Sequence, residues 1–87
     1  MHDVENFRYI GKNEIIELTR PENIILKLLM ENKGNLVTFE ELVMTVYGEL
    51  PDYSYTRCIV THITRMNKKL KGELHIRNRR GIGYMLM

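Results

Sequence analysis

Eighty-seven residues, 44% hydrophobic and 28% charged, predict one domain spanning 1–87 with a single small core. No run approaches the ~18 apolar residues of a membrane span, and Met1-His2-Asp3-Val4-Glu5-Asn6 lacks the basic-then-apolar layout of a secretory leader. The net charge of +2 joins unlike halves: residues 1–52 carry five basic and ten acidic side chains (−5), and residues 53–87 carry eight basic ones against Glu73 alone (+7), which points to a polyanion partner at the C-terminal end.

In chain order, Phe7-Arg8-Tyr9-Ile10 and Ile15-Ile16-Glu17-Leu18 are β-like runs flanking Gly11-Lys12-Asn13-Glu14, and predict a hairpin over about 7–18. Thr19-Arg20-Pro21-Glu22 is a helix start: Thr19 caps, Pro21 is tolerated in the first turn, and Glu22 reaches back to close a capping box. That helix covers about 20–33, with Ile25, Leu28 and Leu29 on one face, and stops near Asn32-Lys33-Gly34. Leu36-Val37 is a very short extended piece. Thr38-Phe39-Glu40-Glu41 repeats the capping-box spacing, and a second helix over about 39–47 buries Phe39, Leu42, Val43 and Val46 before Gly48. Pro51 makes Gly48 to Tyr53 a loop. A third helix runs over about 55–71, capped by Asp52 or Ser54. Leu74-His75-Ile76 and Ile82-Gly83-Tyr84-Met85-Leu86 are strands around a turn at Asn78-Arg79-Arg80-Gly81, a second hairpin over about 74–86. Hairpin, three helices, hairpin is an α+β arrangement.

The third helix carries the functional signal. At ~100° per residue, Ile59, Ile63, Met66 and Leu70 fall within roughly 60°, while Arg57, Thr61, Thr64, Arg65 and Lys68 share roughly 100° of the other side. No carboxylate lies between Tyr53 and Gly72. A solvated face normally mixes in acidic residues; a face reading a major groove wants Arg for guanine edges, Thr for edges or thymine methyls, and Lys for phosphates. His62 lies beside this face, as a phosphate contact or a half-exposed packing residue. Cys58 is expected as a small semi-buried filler, and as the only cysteine it excludes an internal disulfide and a cysteine-built metal site, which suits a reducing cytoplasm. Asn67 is assigned to DNA or solvent, and Tyr47 and Tyr55 to the core or its boundary.

In the terminal hairpin, Arg77, Arg79 and Arg80 cluster at or near the tip, where guanidiniums can enter a narrow A·T-rich minor groove. Arg79 and Arg80 are expected on opposite faces if the segment stays extended. Gly81-Ile82-Gly83 is too short for a dinucleotide fingerprint, and Tyr84 and Leu86 are expected inside. Catalysis would require a converging nucleophile, base or metal cluster, yet His2, His62 and His75 fall in unrelated elements. No enzyme activity, cofactor or metal is expected. The rival function is a module for protein–protein contact, a polymerase adaptor or assembly domain, which would need no excess of Arg and Lys after Tyr53.

Taken together, Leu18-Thr19 with Glu22, Leu28-Leu29, Asn32 with Gly34, Val37-Thr38, Leu42, Val46-Tyr47-Gly48, and Arg57 with Ile59 resemble the OmpR/PhoB-type effector domain of bacterial two-component response regulators. His62-Ile63-Thr64-Arg65-Met66-Asn67-Lys68-Lys69-Leu70 resembles its recognition helix, and Arg80-Gly81-Ile82-Gly83-Tyr84 its wing. The resemblance implies a winged helix-turn-helix that regulates transcription by binding double-stranded DNA. It places Arg57, Thr61, His62, Thr64, Arg65 and Lys68 at bases or phosphates and Arg80 in the minor groove. Arg79 is assigned to the DNA from its own place beside Arg80 in the basic hairpin, where it is left to phosphate or solvent. It further implies direct-repeat sites, a head-to-tail dimer on DNA, and RNA polymerase contact through Gly48 to Tyr53. Three departures stand out. Asn67 replaces an arginine usual in the family, Asn78-Arg79 makes the wing more basic, and one N-terminal hairpin stands where a four-stranded sheet is usual. The short N-terminus suggests a domain trimmed from a longer regulator.

Overall fold

Thr-x-x-Glu capping boxes open two of the three helices in the computed structural model, which describes all 87 residues. Thr19 Oγ1 accepts from Glu22 N (3.3 Å) and Thr19 N donates to Glu22 Oε1 (2.8 Å), starting α1 (Arg20–Glu31). Thr38 and Glu41 repeat the exchange at the start of α2 (Phe39–Tyr47). Each box satisfies helix-end N–H groups and places a carboxylate where the helix dipole favours it. Asp52 caps α3 (Tyr53–Lys69), its Oδ1 accepting from Tyr55 N at 2.9 Å.

Six strands complete the chain: β1 (His2–Asp3), β2 (Arg8–Ile10), β3 (Ile15–Glu17), β4 (Val37–Thr38), β5 (Ile76–Arg79) and β6 (Gly83–Leu86). They form two antiparallel sheets, ordered β1-β2-β3 and β4-β6-β5. The second is the wing hairpin with β4 added along β6. Gly83 is required there, because a Cβ at that position would lie 2.0 Å from the Val37 carbonyl oxygen.

The core lies where the helices meet both sheets. Ile25, Leu26 and Leu29 of α1, Leu42 and Val43 of α2, and Ile59, Ile63, Met66 and Leu70 bury against Tyr9, Ile16, Leu18, Val37, Ile76, Tyr84 and Leu86. The predicted inner face of the third helix is therefore the buried one, and Tyr84 and Leu86 point inward as expected. This is the winged helix-turn-helix arrangement.

Several boundaries differ from the sequence expectation. The first helix ends at Glu31 rather than near 33, where Asn32 turns its N–H back to the Leu29 and Met30 carbonyls. The third covers 53–69 rather than 55–71, because Asp52 does the capping and Glu73 and Leu74 N–H groups fold back onto the Leu70 carbonyl. Leu74 consequently lies outside the wing strand, which starts at Ile76. The N-terminal region is a three-stranded sheet, not a lone hairpin: β1 pairs with β2, and the segment behind it is fastened to α1 by Asn23. Asn23 donates to the Val4 carbonyl (3.0 Å) and its Oδ1 meets His2 Nε2 (2.7 Å).

Candidate nucleic-acid interface

Along α3 the residues Arg57, Thr61, Thr64, Arg65 and Lys68 are all exposed, on the side away from Ile59, Ile63, Met66 and Leu70. The Arg57 guanidinium lies over the Tyr53 ring, 5.6 Å from its centroid, with Nη1 3.5 Å from the phenol oxygen. Tyr53 is 75% exposed, so this aromatic–cation pair stands on the surface at the start of the helix. Thr61 Oγ1 donates to the Arg57 carbonyl (3.1 Å), and Thr64 Oγ1 donates to the Val60 carbonyl (2.8 Å). With the hydroxyl proton engaged along the helix, each threonine offers outward a methyl group and an acceptor lone pair.

His62 lies at the edge of this face, half-buried. Its Nε2 is 2.9 Å from the Tyr47 hydroxyl, and Tyr47 in turn packs against Tyr55 at 5.0 Å between ring centroids. Burial holds His62 below the ordinary histidine value; the Glu22 carboxylate pulls it back up and the Arg65 guanidinium pushes it down. The ring therefore favours its neutral form. Cys58 is exposed on the same flank, which corrects the expectation of a semi-buried filler. At ~100° per residue it falls close to the outward-facing Arg65, away from the core arc.

Three ion pairs form in the molecule: Arg8–Asp3 (2.9 Å), Lys27–Glu31 (3.3 Å) and Lys69–Glu22 (2.6 Å). The third binds α3 to α1, and Lys69 Nζ also donates to the Glu17 carbonyl at 3.2 Å. Glu22 is 1% exposed; burial alone would push its carboxyl up, but Lys69 and the Thr19 N–H hold it below the ordinary value. Arg57, Arg65, Lys68, Arg77, Arg79 and Arg80 have no carboxylate partner. Six cations therefore stand unneutralised on α3 and the wing.

In the wing, Ile76 is buried while Arg77, Asn78, Arg79 and Arg80 are exposed. Arg79 ends β5 opposite Gly83, and Ile82 N donates to the Arg79 carbonyl at 2.9 Å. Arg80 and Gly81 are thus the central residues of a tight turn, with Gly81 at φ 75° where an L side chain would be strained. The expectation that Arg79 and Arg80 alternate across an extended strand is corrected: Arg80 occupies the tip, and Arg77 and Arg79 share a strand face behind it. Asn67, left to DNA or solvent by sequence, instead bonds the wing backbone, with Nδ2 donating to the Ile76 carbonyl (3.0 Å) and Oδ1 accepting from Ile76 N (2.9 Å).

The helix-turn-helix thus sets a basic, carboxylate-free third helix beside an arginine-tipped hairpin. Residues 12–86 fit the model described as "Transcriptional regulatory protein, C terminal". The chain belongs to the OmpR/PhoB-type DNA-binding domains of response regulators. Members regulate transcription and are not enzymes. The chain is 38% identical over 73 residues to the transcriptional regulatory protein VxrB of Vibrio cholerae, covering 84% of this chain and 29% of that protein. It is 36% identical over 83 residues to the regulatory protein VanRB of Enterococcus faecalis, covering 94% of this chain and 36% of that one. Among solved structures, the DNA-binding domain of CpxR from E. coli superposes with a TM-score of 0.81 at 27% identity, covering 97% of this chain and 85% of that one. The chain spans about a third of the length of these two regulators. No helix is long and apolar enough to cross a membrane.

Proposed function

We propose that this response-regulator domain binds a specific duplex site with α3 in the major groove and the wing tip in the adjacent minor groove. The observation that supports it most is the set of six unpaired cations, Arg57, Arg65 and Lys68 on the helix and Arg77, Arg79 and Arg80 on the wing. A folded surface that concentrates positive charge without internal neutralisation is complementary to phosphates. Arg65 reads a base edge, Thr61 and Thr64 present methyls and acceptors to neighbouring edges, and Arg57 and Lys68 hold phosphates. His62, neutral and turned towards Tyr47, lies beside the DNA and contributes shape rather than charge. Arg80 enters the minor groove, and Arg79 contacts the backbone.

The same domain binds direct repeats head to tail, its acidic N-terminal half set against the basic wing of the next copy. The loop from Gly48 to Tyr53 exposes Leu50, 69% accessible, beside Tyr53, an apolar pair suited to RNA polymerase. A cytoplasmic location follows from that function. Methylation interference on a duplex selected from a random pool tests the groove assignment. Modification of guanine N7 should block binding within the central major-groove step, and modification of adenine N3 only at the flanking step. Interference confined to one groove would remove the two-groove assignment, and a pool that yields no bound duplex would replace it with a protein-interaction role.

A further inference from the structure

Strand β5 is the outer edge of the wing sheet, since β6 lies between it and β4. The N–H and C=O of one residue in an antiparallel strand point to the same side. At Ile76 both are taken by a single side chain, the carboxamide of Asn67, at 2.9 and 3.0 Å. The carbonyl of Leu86, the residue paired with Ile76, turns the other way and accepts from Gly34 N at 2.8 Å. Asn67 therefore acts as a one-residue strand, its planar donor and acceptor replacing the peptide group of a neighbour.

The bridge joins the two parts of the proposed interface. Asn67 lies one helical turn beyond Thr64 and next to Lys68, on the flank of α3 that faces the wing. Ile76 is three residues before Arg79 and four before the tip residue Arg80. We infer that Asn67 is a positioning residue that sets the wing against α3, and through them the spacing between the major-groove site and the flanking minor-groove step. This rests on the groove assignment above. An alanine there makes neither bond. An aspartate keeps the acceptor for Ile76 N–H but faces the Ile76 carbonyl with a second oxygen, and an arginine donates without accepting. Only an amide of this length satisfies both backbone groups, whose burial makes an unpaired one costly.

The test uses duplexes carrying the selected site with the flanking A·T step at its selected spacing or moved by one base pair either way. The whole domain should prefer one spacing by about tenfold or more, the scale of one mismatched base pair. Asn67→Ala should reduce that discrimination to about two- to threefold, keep the wild-type salt dependence, and keep the base preference at the pair read by Arg65. Asn67→Asp, with one bond of the two, should fall between; it also carries the comparison where Asn67→Ala loses its fold. A uniform loss of affinity for every duplex in Asn67→Ala, with the spacing preference intact, would make Asn67 a backbone contact and overturn the inference. Undiminished spacing discrimination in both variants would overturn it equally, leaving the groove assignment intact. A wild-type domain indifferent to the flanking step would instead remove the groove assignment, and this inference with it.

Discussion

Lys68 and Lys69 are adjacent and chemically identical, yet ~100° of helix rotation gives them different work. Lys68 is exposed and unpaired, while the Lys69 ammonium sits 2.6 Å from a carboxylate that is 1% exposed. Lys68→Ala should weaken binding to all sequences alike and lower the slope of log affinity against log salt by roughly one. Lys69→Met should leave that slope unchanged and appear instead in urea denaturation. Removing one partner of a fully buried pair costs about 3–5 kcal/mol, and the half-exposed lysine puts this case at or below the low end of that range. A slope change for Lys69→Met would mean that the lysine leaves Glu22 to meet the DNA. Arg65→Ala should cost about 1–3 kcal/mol of binding and relax preference at one base pair, as a site selection would register. Thr64, its hydroxyl proton held by the Val60 carbonyl, should tolerate Val better than Ser if its methyl meets a thymine. Better tolerance of Ser than of Val on a thymine-containing site would show that the hydroxyl oxygen is the contact.

At the scale of elements, α3 is tethered on three sides: by His62 to Tyr47 of α2, by Lys69 to Glu22 of α1, and by Asn67 to Ile76 of β5. Two of these tethers titrate, both with folded values below the ordinary ones. His62 lies below its ordinary value in the folded domain, so the unfolded chain takes up its proton first as pH falls through ~6.5. Stability is full above that point and declines as pH drops towards the folded value. Glu22 is also depressed, so its contribution is present above ~4.5 and lost as pH falls through its lower folded value. Urea melts should show two acid losses, and His62→Gln should remove the first while leaving the second. Persistence of the first loss in His62→Gln would assign it to another group. These tethers were the part hidden in the sequence. The helices were legible because capping boxes and a 3.6-residue apolar period are local signals, and the third start was narrowed to Asp52 or Ser54. The two-residue strands β1 and β4 carry no alternation of their own. They exist because β2, just after β1, and Gly83, remote from β4 in the chain, offer edges to pair with. The outward face of α3 was likewise readable from composition and period. That Asn67 turns to the wing, Lys69 to α1 and Arg80 into the turn depends on where the neighbouring elements end.

Over the whole molecule, one division of charge organises the function. The first 52 residues carry −5 and build the N-terminal sheet with α1 and α2, and the last 35 carry +7 and build α3 and the wing. The acidic half pairs some of its charge internally, through Arg8–Asp3 and Lys27–Glu31, and one acidic residue, Glu22, reaches across to Lys69. Six of the unpaired cations face outward from the elements proposed to meet DNA, and the acidic half would be repelled by phosphates, which orients the approach. The most direct test of this account is the salt dependence of affinity for a selected duplex. If Arg57, Lys68 and Arg79 act on phosphates as proposed, log affinity should fall linearly with log salt with a slope of about −3, near −0.9 for each contact. A flat dependence, or a slope unchanged when Lys68 and Arg79 are both replaced by alanine, would contradict it.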